Sequence, residues 1–205
     1  MTNKINMDIF TNKRILFYGP ANTLDKPFLN INDYDYIIIT NNLITRFFDK
    51  YKLKPHCKVI HLCNQLYTLN YINNLWKYEK NIYFFLFINK KSLSYAEKYL
   101  ERQKLCQLPL FSINKKIPLG LSRILNFLKN TNFKELYITG CTFYNEKKIE
   151  DCYEVKYMIK EGKKNNIFSA DKTKHSLQDN INYVKNICKN NKNIILCEEL
   201  LQILY

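Results

Sequence analysis

Glycine is scarce in this chain, with four among 205 residues: Gly19, Gly120, Gly140 and Gly162. A dinucleotide-binding G-x-G-x-x-G loop is therefore excluded, and after Gly19-Pro20 the position of its third glycine is Leu24. Long apolar runs are missing too. The most hydrophobic stretch, Ile82 to Ile88, is strand-sized, well short of the ~18–20 residues that a membrane span needs. The seven cysteines (57, 63, 106, 141, 152, 188 and 197) form no CxxC pair and have no histidine at zinc-finger spacing. Their odd number and scatter argue for free thiols in a reducing compartment and against a structural metal. The N-terminal MTNKINMDIFTNK lacks the apolar core of a secretory signal. Internal repeats and Pro- or Ser-rich linkers are absent as well, so residues 1–205 read as a single domain.

Acidic residues are also few: 18 Asp+Glu stand against 32 Lys+Arg, a formal net charge of +14. That excess admits nucleic acid, an anionic membrane surface or a phosphate-bearing substrate, and equally a solvated basic surface in a chain rich in Lys, Asn and Ile. What the chain does hold is core material, at 46% apolar residues with 16 Tyr and 13 Phe. Arg14–Tyr18, Tyr36–Thr40, Lys58–Leu62, Ile82–Ile88, Glu135–Thr139 and Ile194–Cys197 read as buried strands without clean alternation. Helical patterns lie between them. Ser92–Gln103 puts Leu93, Ala96, Tyr99 and Leu100 on one face, and Gly120–Asn130 spaces Leu121, Ile124, Leu125 and Leu128 likewise. The final helix opens on Ser176, with Asp179 in a capping-box-like position and a stripe of Leu177, Ile181, Val184 and Cys188. Strands alternating with helices predict an α/β fold, Rossmann-like, with a mostly parallel sheet covered on both faces. The charged segment 145–174, containing KEGKKNN, reads as a lid loop.

In such a sheet, ligands bind at the carboxyl ends of the strands, near the point where strand order reverses. The residues just after the predicted strands are Gly19-Pro20-Ala21-Asn22-Thr23, Thr40-Asn41-Asn42, Cys63-Asn64-Gln65 and Gly140-Cys141-Thr142-Phe143-Tyr144, nearly devoid of carboxylates. A D-x-D triplet that would hold a metal against a diphosphate is not among them. Asp33-Tyr34-Asp35 precedes a strand, at the wrong edge. A leaving group with one phosphate needs only neutral donors such as tyrosine hydroxyls and backbone N–H groups. Of the histidines, His56 and His61 flank or enter a strand and read as surface or structural residues. His175 directly precedes the helix cap and is placed for acid–base work.

Several segments, taken in order, resemble the bacterial sialyltransferases of glycosyltransferase family 42. RILFYGPANTLD is similar to the family's strand and N-G-P-S loop, DYDYIIITNN to its second strand, and CKVIHLCNQ to its third. IPLGLSRILNFLKNTNFKELYITGCTFY is similar to the T-S-G helix and the strand ending in G-x-D-F-Y, and HSLQDNINYVKNI to the H-S helix. The likeness spans roughly residues 14 to 197. It implies a GT-A-variant domain and inverting, metal-independent transfer of sialic acid or a related acidic sugar from a CMP-sugar donor to a glycan or glycolipid acceptor. It also implies that His175 is the general base and that Tyr144 and Tyr153 stabilise the leaving phosphate. Gly19, Pro20, Asn22, Asn41, Asn64, Gly120, Ser122, Gly140 and Ser176 would line the substrate, with no cofactor and no metal. The chain departs from the family pattern at Tyr18, Ala21, Pro118, Leu119 and Thr142. The implied location is cytoplasmic, with peripheral contact at the inner membrane face and homo-oligomerisation left open. A nucleotide- or glycan-binding relative without activity is one alternative. A basic nucleic-acid-binding protein is another, though RRM, KH and zinc signatures are lacking.

Overall fold

The computed structural model describes residues 5–21, 23–40, 43–63, 77–143 and 176–205. The apolar runs become β1 (Arg14–Tyr18), β2 (Tyr36–Thr40), β3 (Lys58–Cys63), β4 (Ile82–Phe87), β6 (Glu135–Thr139) and β7 (Ile194–Leu196), joined by a short β5 (Leu105–Gln107). They form one sheet in the order β5-β4-β3-β2-β1-β6-β7, and every pairing is parallel. The fold is thus α/β, consistent with a Rossmann-like arrangement. The strand β5 was not expected. It is three residues long and carries no pattern of its own, yet it pairs with the far end of β4 and buries Leu105 and Cys106.

Successive side chains of a strand point to opposite faces, so each strand feeds two cores. One face packs Leu16, Ile37, Ile39, Val59, Phe85 and Phe87 against α1 (Leu43–Lys50) and α2 (Lys90–Ala96). The other packs Ile15, Phe17, Ile38, Leu62, Leu86 and Ile138 against α3 (Gly120–Leu128), α4 (Leu177–Lys189) and α5 (Glu198–Leu204). Coverage on both faces is why these strands read as continuous apolar runs.

Three expectations are corrected. The helix expected over Ser92–Gln103 occupies Lys90–Ala96, capped by Asn89, whose side chain accepts from Lys91 N at 2.7 Å. Tyr99, expected on its buried face, is 44% exposed. The helix opened by Ser176 is not the final one, because α5 follows, with Glu198 and Glu199 in its first turn where the helix dipole favours them. The Ser176 cap itself is present, Oγ accepting from Asp179 N at 3.3 Å, but Asp179 accepts from Asn114 Nδ2 at 2.9 Å instead of closing a capping box.

Asp33 and Asp35 lie at the amino edge of the sheet, as expected from the sequence. Asp35 accepts from Arg14 N at 2.9 Å and from Lys13 Nζ at 3.2 Å, so the segment anchors the sheet edge as well as meeting solvent. His56 is exposed, and its Nε2 lies 3.0 Å from Asn32 O. His61 is fully buried within β3, Nδ1 3.2 Å from Cys63 Sγ, its ring edge-on to Phe85. Among the described residues, no helix is long and apolar enough to cross a membrane.

Candidate functional site

Strand order reverses at β1, which has β2 on one side and β6 on the other. The loops leaving β1 and β6 meet there. Gly19 N donates to Thr139 O at 2.8 Å, and Ala21 N donates to Gly140 O at 2.9 Å. A Cβ on Gly19 would stand 2.2 Å from Gly140 O, and one on Gly140, whose φ is +69°, would stand 2.3 Å from Gly19 O. Both glycines are needed so that two backbones can touch. Gly19 makes its close approach to Gly140, and Pro20 stands half-buried at the rim.

The segment after Gly19 supplies residues that the sequence reading passed over. Lys26 is buried, at 7% exposure. Its Nζ donates to Gly19 O at 2.7 Å and to Ala21 O, and sits 4.1 Å from the centre of the Tyr18 ring. Burial lowers its pKa to about 8. Cys141 and Asp25 pull the other way, while Arg46 and Lys50 add to the lowering. Asp25 accepts from Tyr137 Oη at 2.8 Å and from Thr139 Oγ1 at 2.7 Å, and Thr23 Oγ1 lies 2.6 Å from Thr139 Oγ1. Phe143, just before Tyr144 in the chain, is buried with φ +50°, a conformation unusual for a bulky residue.

Carboxylates do therefore reach this end of the sheet, contrary to the list of residues that follow the strands. Glu199, from the start of α5, accepts from Leu24 N at 2.5 Å through Oε1, while its Oε2 is buried with no hydrogen-bond partner. Ligand atoms of Asp25, Cys197 and Glu199 all lie within 4.8 Å of one another, the grouping among the described residues that could hold a metal. Three of its four carboxylate oxygens already accept from protein donors. Burial raises the Cys197 thiol to about 11, which keeps it protonated at neutral pH.

A second group forms where α3 and α4 begin. Asn180, 1% exposed, accepts from Leu119 N at 2.9 Å and from Ser122 Oγ at 2.7 Å, and donates to Ser176 O at 2.8 Å. Gly120, half-buried, opens α3 beside it. Ser122, expected to line the substrate, is 0% exposed. Its hydroxyl joins α3 to α4 inside the fold, as its place on the inner face of an amphipathic helix dictates. The structure thus joins Gly19, Pro20 and Gly140 in one cluster and Gly120, Ser122 and Ser176 in another. Asn22, Asn41, Asn64, Tyr144, Tyr153, His175 and the 145–174 segment lie outside the described residues.

Between α1 and the β1 loop lies a cleft of about 400 Å³, lined by Tyr18, Pro20, Thr23, Lys26, Arg46, Lys50 and Tyr51 together with Pro27, Leu43 and Phe47. Tyr18 and Tyr51 hydroxyls are 3.2 Å apart. Burial, and then the bond to Tyr51, raise the Tyr18 pKa, so its hydroxyl stays neutral. None of the described lining residues is a carboxylate.

No family model, curated protein or solved structure matches this chain.

The site's chemistry therefore rests on its own residues. Lys26, Arg46 and Lys50 line one concave surface at the carboxyl ends of β1 and β2 with Tyr18, Thr23 and Tyr51, Lys26 over the Tyr18 ring and Lys50 over the Tyr51 ring, a lining suited to an anionic ligand. Sequence offered one signal for Lys26, its place seven residues after Gly19 in the loop leaving the first strand. It offered none for Glu199 or Asn180.

Proposed function

We propose that the protein is an inverting, metal-independent glycosyltransferase of GT-A-variant, Rossmann-like type. It moves sialic acid or a related acidic sugar from a CMP-sugar to a glycan acceptor of the surface lipo-oligosaccharide kind. The observation that carries the reading is the lining of the cleft at the carboxyl ends of β1 and β2, cationic and without a carboxylate among the described residues, beside the interlocked Gly19 and Gly140 loops. A sugar donor with one phosphate and an acidic sugar is an anion that such a lining attracts.

In the proposed reaction His175 takes the proton of the acceptor hydroxyl, whose oxygen attacks the anomeric carbon as the bond to the phosphate breaks. CMP departs with its charge stabilised by hydroxyl donation from Tyr144 and Tyr153. A neutral imidazole, with an ordinary pKa of about 6.5, suits that base at cellular pH. His175 immediately precedes Ser176, and the Ser176 carbonyl accepts from Asn180, so the chain enters α4 from a fixed point. The net charge of +14 fits work at an anionic membrane face on the cytoplasmic side.

The test is a thermal-shift comparison of CMP, UMP, UDP, GDP and ADP, without metal and then with Mg²⁺, followed by transfer assays. The expected result is stabilisation by CMP that Mg²⁺ and EDTA leave unchanged, with His175→Ala abolishing transfer while CMP still binds. Stabilisation by UDP that requires Mg²⁺, or transfer by His175→Ala within a few-fold of wild type, overturns the reading. CMP binding with neither transfer nor donor hydrolysis in the wild type identifies a binding protein instead.

A further inference from the structure

We propose that the cleft between α1 and the β1 loop is an oxyanion-binding subsite, in which Lys26, Arg46 and Lys50 hold a phosphate or carboxylate group with help from the Tyr18 and Tyr51 hydroxyls. It deepens the glycosyltransferase reading by giving the donor's anionic group a place. It does not depend on that reading, since a protein that merely bound a phosphorylated ligand would use the same subsite.

Four observations support it. First, Lys26 is buried, and buried lysines are rare unless paired. Its two hydrogen bonds go to the neutral Gly19 and Ala21 carbonyls. An ammonium has three donors, and the third has no hydrogen-bond acceptor among the described residues. Second, Arg46 and Lys50 stand one helical turn apart on α1 and line the same cleft. Like charges at that spacing repel, and both also disfavour the charged form of Lys26. An anion between the three relieves all of these repulsions at once. Third, the Tyr18–Tyr51 bond engages one hydroxyl hydrogen, and the other remains for the contents of the cleft. Fourth, a volume of about 400 Å³ takes an anionic group with a sugar-sized substituent, within the usual range of ~300–1,000 Å³ for ligand pockets. Two exposed cations on one helix would not by themselves make a site. The buried ammonium behind them, already immobilised by two carbonyls, distinguishes a built site.

The experiment titrates the full chain with four probes at constant ionic strength: inorganic phosphate, CMP, cytidine and N-acetylneuraminate. Binding is read by calorimetry in wild type, Arg46→Gln, Lys50→Gln and Lys50→Glu. Both positions are exposed, so these variants fold even if Lys26→Met does not. Expected is binding of at least one oxyanion probe that each neutralisation weakens roughly 10–150-fold, as loss of a charge-assisted hydrogen bond does, and that Lys50→Glu abolishes. Sensitivity for phosphate and CMP identifies a phosphate subsite, and sensitivity for N-acetylneuraminate alone a carboxylate subsite. Unchanged oxyanion affinity in all three variants, or no oxyanion binding, overturns the proposal. Variant-sensitive phosphate binding with no added affinity for CMP upholds the subsite while refuting the donor assigned above.

Discussion

Asn180 is the residue on which the relative placement of α3 and α4 turns, and its removal has a calculable effect. Asn180→Ala takes the acceptor from Leu119 N–H and Ser122 Oγ–H and the donor from Ser176 O. The Ser176 carbonyl keeps its bond from Asn180 N at 3.1 Å, and the Ser122 hydroxyl can turn toward a carbonyl of its own helix, so both losses are partial. The Leu119 N–H has no such recourse, because it lies ahead of the first turn of α3. One donor left without a partner costs ~1–3 kcal/mol, and each of the two weakened bonds ~0.5–1.5 kcal/mol, for a total of about 2–6 kcal/mol. In a chain of this size that lowers Tm by roughly 4–24 °C. Equilibrium urea unfolding of Asn180→Ala, Ser122→Ala and the double variant reads both the total and the coupling, which should be about 1 kcal/mol. A loss below about 0.5 kcal/mol for Asn180→Ala, or additive single effects, refutes the network as the joint between these helices.

Three further outcomes follow from the same site. Gly19→Ala places a methyl 2.2 Å from a backbone carbonyl. No side chain can yield there, so the loops must part, at about 3 kcal/mol or more as in severe overpacking. A thermal melt within 2 °C of wild type, as an order-of-magnitude bound, contradicts this. Lys26 has a folded pKa of about 8 against an unfolded value of ~10.4. Between these values the unfolded chain holds more protons, so this group adds stability as pH rises. Cys106, Cys188 and Cys197, raised by burial to about 11, act in the opposite sense over the same range. The comparison is therefore with Lys26→Met: from pH 8 to 9 wild type should gain about 1 kcal/mol on the variant, and parallel pH profiles in urea melts exclude a Lys26 whose pKa is lowered by burial. Glu199→Gln keeps the acceptor for Leu24 N and puts an amide donor where Oε2 has no partner. The expected gain is about 1 kcal/mol by calorimetry, and a comparable loss would show that the carboxylate itself is required there.

Much of the frame was legible in the sequence. All six expected strands agree with the structure to within one residue at either end, and Arg14–Tyr18, Tyr36–Thr40 and Glu135–Thr139 agree at both ends. Burial on two faces leaves a mark of continuous Ile, Val, Tyr and Phe that local reading detects. The Ser176 start of α4 was legible for a similar reason, since a cap is written in consecutive residues. β5, α1 and α5 were not. β5 is too short to carry a period, and α1 and α5 take their inner faces from a sheet that lies elsewhere in the chain.

The α/β sheet and the glycines that leave β1 and β6 were written locally in the chain, because hydrophobic runs and turn glycines act on their near neighbours. What those loops meet depends on contacts between distant parts of the chain. Gly19 meets Gly140, Leu24 meets Glu199 across 175 positions, and Asn180 reaches back to Leu119 and Ser122. A buried polar or charged side chain is tolerable only beside its partner, and that partner's position in the chain is set by the folded backbone rather than by any neighbour in sequence. For the same reason the scarcity of carboxylates and the excess of lysine changed meaning on folding. Asp25 and Glu199 gather at the loop after β1, and Lys26 lines a cleft with Arg46 and Lys50.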